Sequence, residues 1–198
     1  LFRSRKQHLL DGWVYLQAYV LAGLVEAFAG FLMFFYYMSH YGGIPMSHLW
    51  LAFTKYNTSS GTISTYPNPK GGFYTGDELN NLWRTGQCCY FVAVCVVQIG
   101  NLFGTKNQRT SIFSADPFRG PLKNWYLFLG TALSIALAAF IVYVPFAHNI
   151  FFTRNVPWEF WLIPLWFAVI VWILHELRKL VLRNISWESF KRAICSCF

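Results

Sequence analysis

Four stretches of this chain carry almost no charge, and their lengths restrict it to a narrow class of folds. Gly12 to Thr54 contains one charged residue, Glu26, while Thr85 to Thr105, Asn124 to Thr153 and Phe160 to His175 contain none. A helix needs roughly 20 mainly apolar residues to cross the hydrocarbon of a bilayer, and each stretch, with its flanks, supplies them. Only 12% of the 198 residues are charged, about half the fraction usual in a soluble domain. The reading is an all-α, polytopic membrane protein with four transmembrane helices, at about residues 13–38, 87–104, 125–144 and 158–180.

The net charge of +8 does not point to nucleic acid, because of where the charge lies. Of the 16 Lys and Arg, all but Lys55, Lys70, Arg84 and Arg154 sit in the amino terminus, the second loop or the tail. In a four-span chain those three segments share one side of the membrane. Excess Lys and Arg marks cytoplasmic loops, so both termini are expected in the cytoplasm, beside anionic headgroups. The chain opens on Leu1-Phe2 ahead of a basic cluster, without Met, and is expected to be a piece of something longer.

Residues 40–85 are expected to form an outer loop of turns with room for a short hairpin, since Pro67-Asn68-Pro69-Lys70-Gly71-Gly72 is rich in turn formers. Asn57-Thr58-Ser59 is a glycosylation acceptor on that outer side. Pro145 is expected to end or kink the third helix, because proline cannot continue the hydrogen-bond ladder. Trp125, Tyr126, Trp158 and Trp161 gather where helices should meet the headgroups. In the cytosolic tail, residues 181–198, Trp187, Phe190 and Ile194 repeat at helical spacing, as in a helix lying on the inner leaflet. Cys88, Cys89 and Cys95 read as buried or free thiols, and Cys195 and Cys197 as lipidation candidates.

Glu26 is the sharpest chemical signal. An ionised carboxylate in mid-membrane costs on the order of 2.5–3.5 kcal/mol on insertion scales. Gly23, Ala27 and Gly30 share its face, and small residues mark the faces where membrane helices pack, so Glu26 should point at other helices. Two roles fit it: a cation or proton site, or a protonated acid bonded to a neighbour as structural glue. Gln98 and Asn101 stand at i and i+3 on the second helix, with Gln87 and Thr105 nearly in line. Amide oxygens suit a hard monovalent cation, and interhelical hydrogen bonding would explain the same stripe. Thr131 and Ser134 on the third helix can bond their own backbone. His175-Glu176-Leu177-Arg178-Lys179 reads as a set of anchors at the cytosolic exit. No Walker-type loop, no Asp-Lys-Thr-Gly sequence and no metal-ligand spacing of His and Cys occurs. Catalytic residues, cofactors and metal sites are therefore not expected in this chain.

Several short segments occur in a telling order: Tyr90-Phe91-Val92, Val96-Val97-Gln98, Lys106 with Arg109 and Ser111-Ile112-Phe113. Ala136-Leu137-Ala138-Ala139-Phe140, Tyr143 with Pro145, and Glu176-Leu177-Arg178-Lys179-Leu180 follow, with Tyr19, Glu26, Ala27, Gly30, Phe31 and Pro45 upstream. Together they resemble the end of the catalytic subunit of sodium/potassium- and proton/potassium-type P-type ATPases, over nearly the whole chain except residues 46–80. The resemblance implies that residues 1–198 are transmembrane helices seven to ten of a plasma-membrane pump for sodium, potassium or protons. Its partners would be the remaining transmembrane helices and cytoplasmic domains of the same pump, monovalent cations and the bilayer. ATP and magnesium would serve the parent pump.

Gln98 then matches a position lining the cation region, and Asn101 matches a carboxylate that helps bind cations in the animal pumps. Ser134 falls where those pumps carry a glutamate associated with the sodium-specific site. Glu26 stands where they usually have an uncharged amide. The carboxylates are rearranged, which bears on ion identity. The Ser-Tyr/Phe-Gly-Gln sequence through which the animal pumps hold an accessory subunit is not evident in residues 41–85, so that partner is not carried over. The competing expectation is a stand-alone four-span regulatory or assembly subunit.

Overall fold

A computed structural model describes residues 22–49, 63–69, 71–105 and 125–184. Within them lie α1 (Leu24–His40), α2 (Met46–Leu49), β1 (Ile63–Pro67), β2 (Phe73–Thr75), α3 (Gly76–Thr105), α4 (Trp125–Tyr143), α5 (Pro145–Phe151) and α6 (Glu159–Asn184). Asn57, Cys195, Cys197, the amphipathic tail from Trp187 and the first half of the first span lie outside the described residues.

The helix α1 buries Glu26, Ala29, Gly30, Met33 and Tyr37, a stripe at three- and four-residue spacing that defines one face. Leu24, Phe28 and Phe31 on the other side are exposed. That stripe lies against α3, and α3 packs in turn on α6. The core holds Met33, Met38, Ile44, Leu79, Val92 and Phe160, with Cys88 and Cys89 as buried free thiols.

The loop after α1 contains a two-stranded antiparallel hairpin, β1 paired with β2 so that Ile63 faces Thr75 and Pro67 faces Phe73. Its tip turns through Gly71 (φ 103°) and Gly72 (φ 80°), a backbone region open to glycine without steric cost. Tyr74 Oη donates to the Gly42 carbonyl at 3.0 Å and so ties the hairpin to the end of α1. Burial pushes the Tyr74 phenol up from its ordinary value, which keeps that donor protonated.

One boundary differs from the sequence expectation. The second apolar helix begins at Gly76, not near residue 87, so the last ten residues assigned to the outer loop are helical. Glu78 Oε2 accepts from the Thr75 backbone N–H at 3.0 Å, the reciprocal half of a capping box. Asp77 and Glu78 also sit in the first turn, where negative charge meets the positive end of the helix dipole. At 30 residues, α3 is about 45 Å long and exceeds the roughly 30 Å hydrocarbon layer. Its polar first turns therefore project beyond the apolar part.

At the opposite end of α4 the chain breaks at Val144 and resumes as α5 with Pro145 at its start. Proline has no N–H to offer the Ile141 carbonyl, and Thr153 Oγ1 donates to that oxygen instead at 2.7 Å. The His148 ring meets the next carbonyl, Val142 O, at 2.6 Å. Tyr143 Oη donates to Val156 O at 2.9 Å and accepts from Trp161 Nε1 at 3.0 Å. Side chains thus re-satisfy the groups that the break exposes. Among the described residues three helices, α3, α4 and α6 to Leu180, are long and apolar enough to cross a membrane. The described part of α1 has 17 residues.

Candidate functional site

Glu26 is 8% exposed and faces α3, as its small-residue neighbours on α1 imply. Gln98 Nε2 donates to Glu26 Oε2 at 2.5 Å, and Asn101 Nδ2 donates to Glu26 Oε1 at 3.2 Å. Both carboxylate oxygens are acceptors, so each amide has its nitrogen towards α1. Turning either amide round would set oxygen against oxygen. For an ionised Glu26, hydrogen bonds to the charged group would contribute about 1.5–3 kcal/mol each, the size needed to offset a mid-membrane carboxylate.

The cluster continues to a third helix. His175 Nε2 lies 3.0 Å from Asn101 Oδ1, and since that oxygen can only accept, the imidazole donates. His175 is 2% exposed. Its ring fills the space over Gly104, where an added Cβ would come within 2.5 Å of His175 Cδ2. One turn earlier, a Cβ on Gly100 would meet the Ala168 carbonyl oxygen at 2.1 Å. Small residues on α3 thus let α6 approach closely enough for the histidine to reach the asparagine.

The structure brings together Glu26, Gln98 and Asn101, and it adds His175. Ser134 is not joined to them: its hydroxyl donates to Gly130 O at 2.9 Å on its own helix, as Thr131 does to Leu127 O. Gln87 is exposed, and Thr105 bonds back to Asn101 O at 2.9 Å. The anchor reading of residues 175–179 is corrected at two positions. His175 and Lys179 are each 2% exposed, and Lys179 Nζ pairs with Glu176 Oε1 at 2.8 Å. The signal was available: Pro164, Ala168, Val171, His175 and Lys179 recur on one face of α6 at helical spacing, and all are buried.

A mostly helical chain with long apolar helices, holding a polar cluster between them, defines a class: an integral membrane domain. The chain belongs to the family described as cation transporting ATPase, C-terminus, whose model matches residues 2–181. It is 25% identical over 180 residues to the potassium-transporting ATPase alpha chain 1 of Xenopus laevis, covering 91% of this chain and 17% of that protein. It is 28% identical over 167 residues to the sodium/potassium-transporting ATPase subunit alpha of Hydra vulgaris, covering 84% of this chain and 15% of that protein. To the Drosophila melanogaster subunit of the same name it is 28% identical over 169 residues. The chain spans 15–17% of the length of these relatives.

Proposed function

We propose that this chain is the membrane-embedded carboxy-terminal part of an ATP-driven monovalent-cation pump of the sodium/potassium or proton/potassium type. Nucleotide chemistry, with ATP and magnesium, belongs to cytoplasmic domains outside these 198 residues. The chain crosses the plasma membrane four times, counting the first span over residues 13–38, with both termini cytoplasmic. The family and the names of the relatives support the reading, and the distribution of Lys and Arg supports the orientation.

One observation carries the site. Glu26 sits buried between α1 and α3 with Gln98 and Asn101 on its two oxygens, so a carboxylate and two amides converge at membrane depth. An intramembrane ionisable group facing the bundle is a functional candidate by virtue of its cost. Glu26 supplies the charge that attracts the cation, and Gln98, exposed on α3, offers the amide oxygen at its edge. Ser134, exposed on α4 and bonded within its own turn, contributes least.

Cation activation of the complete pump tests this. Glu26→Gln is expected to raise the half-activating cation concentration roughly tenfold, the equivalent of about 1.4 kcal/mol. Gln98→Ala is expected to cost more than Ser134→Ala. Unchanged activation in Glu26→Gln, at normal expression, leaves the carboxylate a structural role only.

A further inference from the structure

We propose that His175 is a positioning residue of the Glu26 site, fixing the Asn101 carboxamide so that it serves the carboxylate as a donor and keeps its oxygen away from the cation. The inference rests on the cation-site reading above and assigns a role to a residue on a third helix. Asn101 has both ends of its amide committed: Nδ2 to Glu26 Oε1 at 3.2 Å, Oδ1 to His175 Nε2 at 3.0 Å. Without the histidine, that amide is held from one side alone, by a 3.2 Å contact with Glu26, and its oxygen loses its donor on α6. With it, the nitrogen stays on Glu26.

Two further features make the histidine a fixed part of the cluster. Its ring is packed over Gly104 and is 2% exposed, so it sits inside the α3–α6 contact. Nδ1 has no hydrogen-bond partner among the described residues, so the interaction with Asn101 is the one that holds the ring's polar edge. A group of this kind acts on the cation through the orientation of another side chain. Such outer partners commonly matter for affinity in ion sites, because they decide which atom of a ligand faces the ion.

The test is a double-mutant cycle in the complete pump, comparing wild type, His175→Leu, Asn101→Leu and the double variant, with His175→Gln as the conservative replacement. Half-activating cation concentration, maximal rate and thermal midpoint of the purified protein are read for each. His175→Leu is expected to raise the half-activating concentration about fivefold, the size of one hydrogen bond, with maximal rate within about twofold. In the Asn101→Leu background the same change should have less than about a twofold effect, since coupled residues are non-additive. His175→Gln, whose amide can donate from a similar place, should restore most of the affinity. Equal effects of His175→Leu with and without Asn101 overturn the proposal, as does failure of His175→Gln to restore affinity at a wild-type thermal midpoint. Should Glu26→Gln also leave cation activation unchanged, the cation reading itself has failed. The thermal midpoints then decide the positioning contact alone: non-additive midpoints uphold it and additive ones overturn it.

Discussion

The helices α3 and α4 are both long and apolar enough to cross a membrane, yet they behave as opposites. Along α3 twelve residues are buried, Gly100, Gly104, Val92 and Val97 among them, whereas α4 buries only Ala138 and Val142. Two amides of α3, Gln98 and Asn101, reach across to Glu26 on α1. The mid-helix hydroxyls of α4, Thr131 and Ser134, turn back on their own helix. Apolarity does not separate the two, because lipid tails satisfy a leucine as well as a neighbouring helix does. Small residues occur on both, but Gly100 and Gly104 of α3 are buried against α6 while Gly130, Ala132 and Ala136 of α4 are exposed, and α3 adds interhelical amides.

The sharpest way to break this comparison is to add the same methyl group to both helices. Gly100→Ala places a Cβ 2.1 Å from the Ala168 carbonyl oxygen, while Gly130 has nothing within 4 Å of an added Cβ. Backbone cannot yield as a flexible side chain can, so Gly100→Ala is expected to cost about 3 kcal/mol, the upper end of overpacking costs. Gly130→Ala should be neutral or slightly stabilising, since alanine has the higher helix propensity. Thermal unfolding of the detergent-purified protein reads both. A tolerated Gly100→Ala would mean that α3 and α6 are not in backbone contact.

A smaller effect is expected where α4 breaks. Thr153→Val removes the donor that satisfies Ile141 O and leaves a carbonyl without its partner beside Pro145, at a cost of about 1–3 kcal/mol. The same melting assay checks it, and a wild-type midpoint would show that the helix break is held elsewhere. Smallest of all should be Ser134→Ala. Its hydroxyl is exposed and bonded within its own turn, so the change in stability should stay within about 0.5 kcal/mol. A larger loss would mean that α4 has a partner for that face.

Much of this difference could be read from the residues, and the failures have physical causes. Gly23, Ala27 and Gly30 told which way Glu26 points, because periodicity in one helix defines a face. They did not tell which side chain would meet it, since a face carries no information about its neighbour. The first turns of α3 were missed because Asp77, Asn80, Asn81 and Arg84 make them polar, and a search for apolar stretches passes over helix that projects beyond the hydrocarbon. Thr75 and Glu78, spaced as a capping box, were the signal that could have placed the start. His175 reads as an anchor through its charged neighbours, while its spacing from Ala168 and Val171 places it on the buried face of α6.

The same contact bears on the rearranged carboxylates. Asn101 stands where the animal pumps are expected to carry an acid, and Glu26 where they are expected to carry an amide. In this chain the two side chains touch, 3.2 Å apart. A carboxylate on either of these two side chains would therefore place its charge at the same α1–α3 contact. The most direct measurement is cation activation of the exchanged pair, Glu26→Gln with Asn101→Asp, in the complete pump. The exchange is expected to keep the half-activating concentration within about threefold of wild type, against a roughly tenfold loss for Glu26→Gln alone. An exchange no better than Glu26→Gln alone would contradict it.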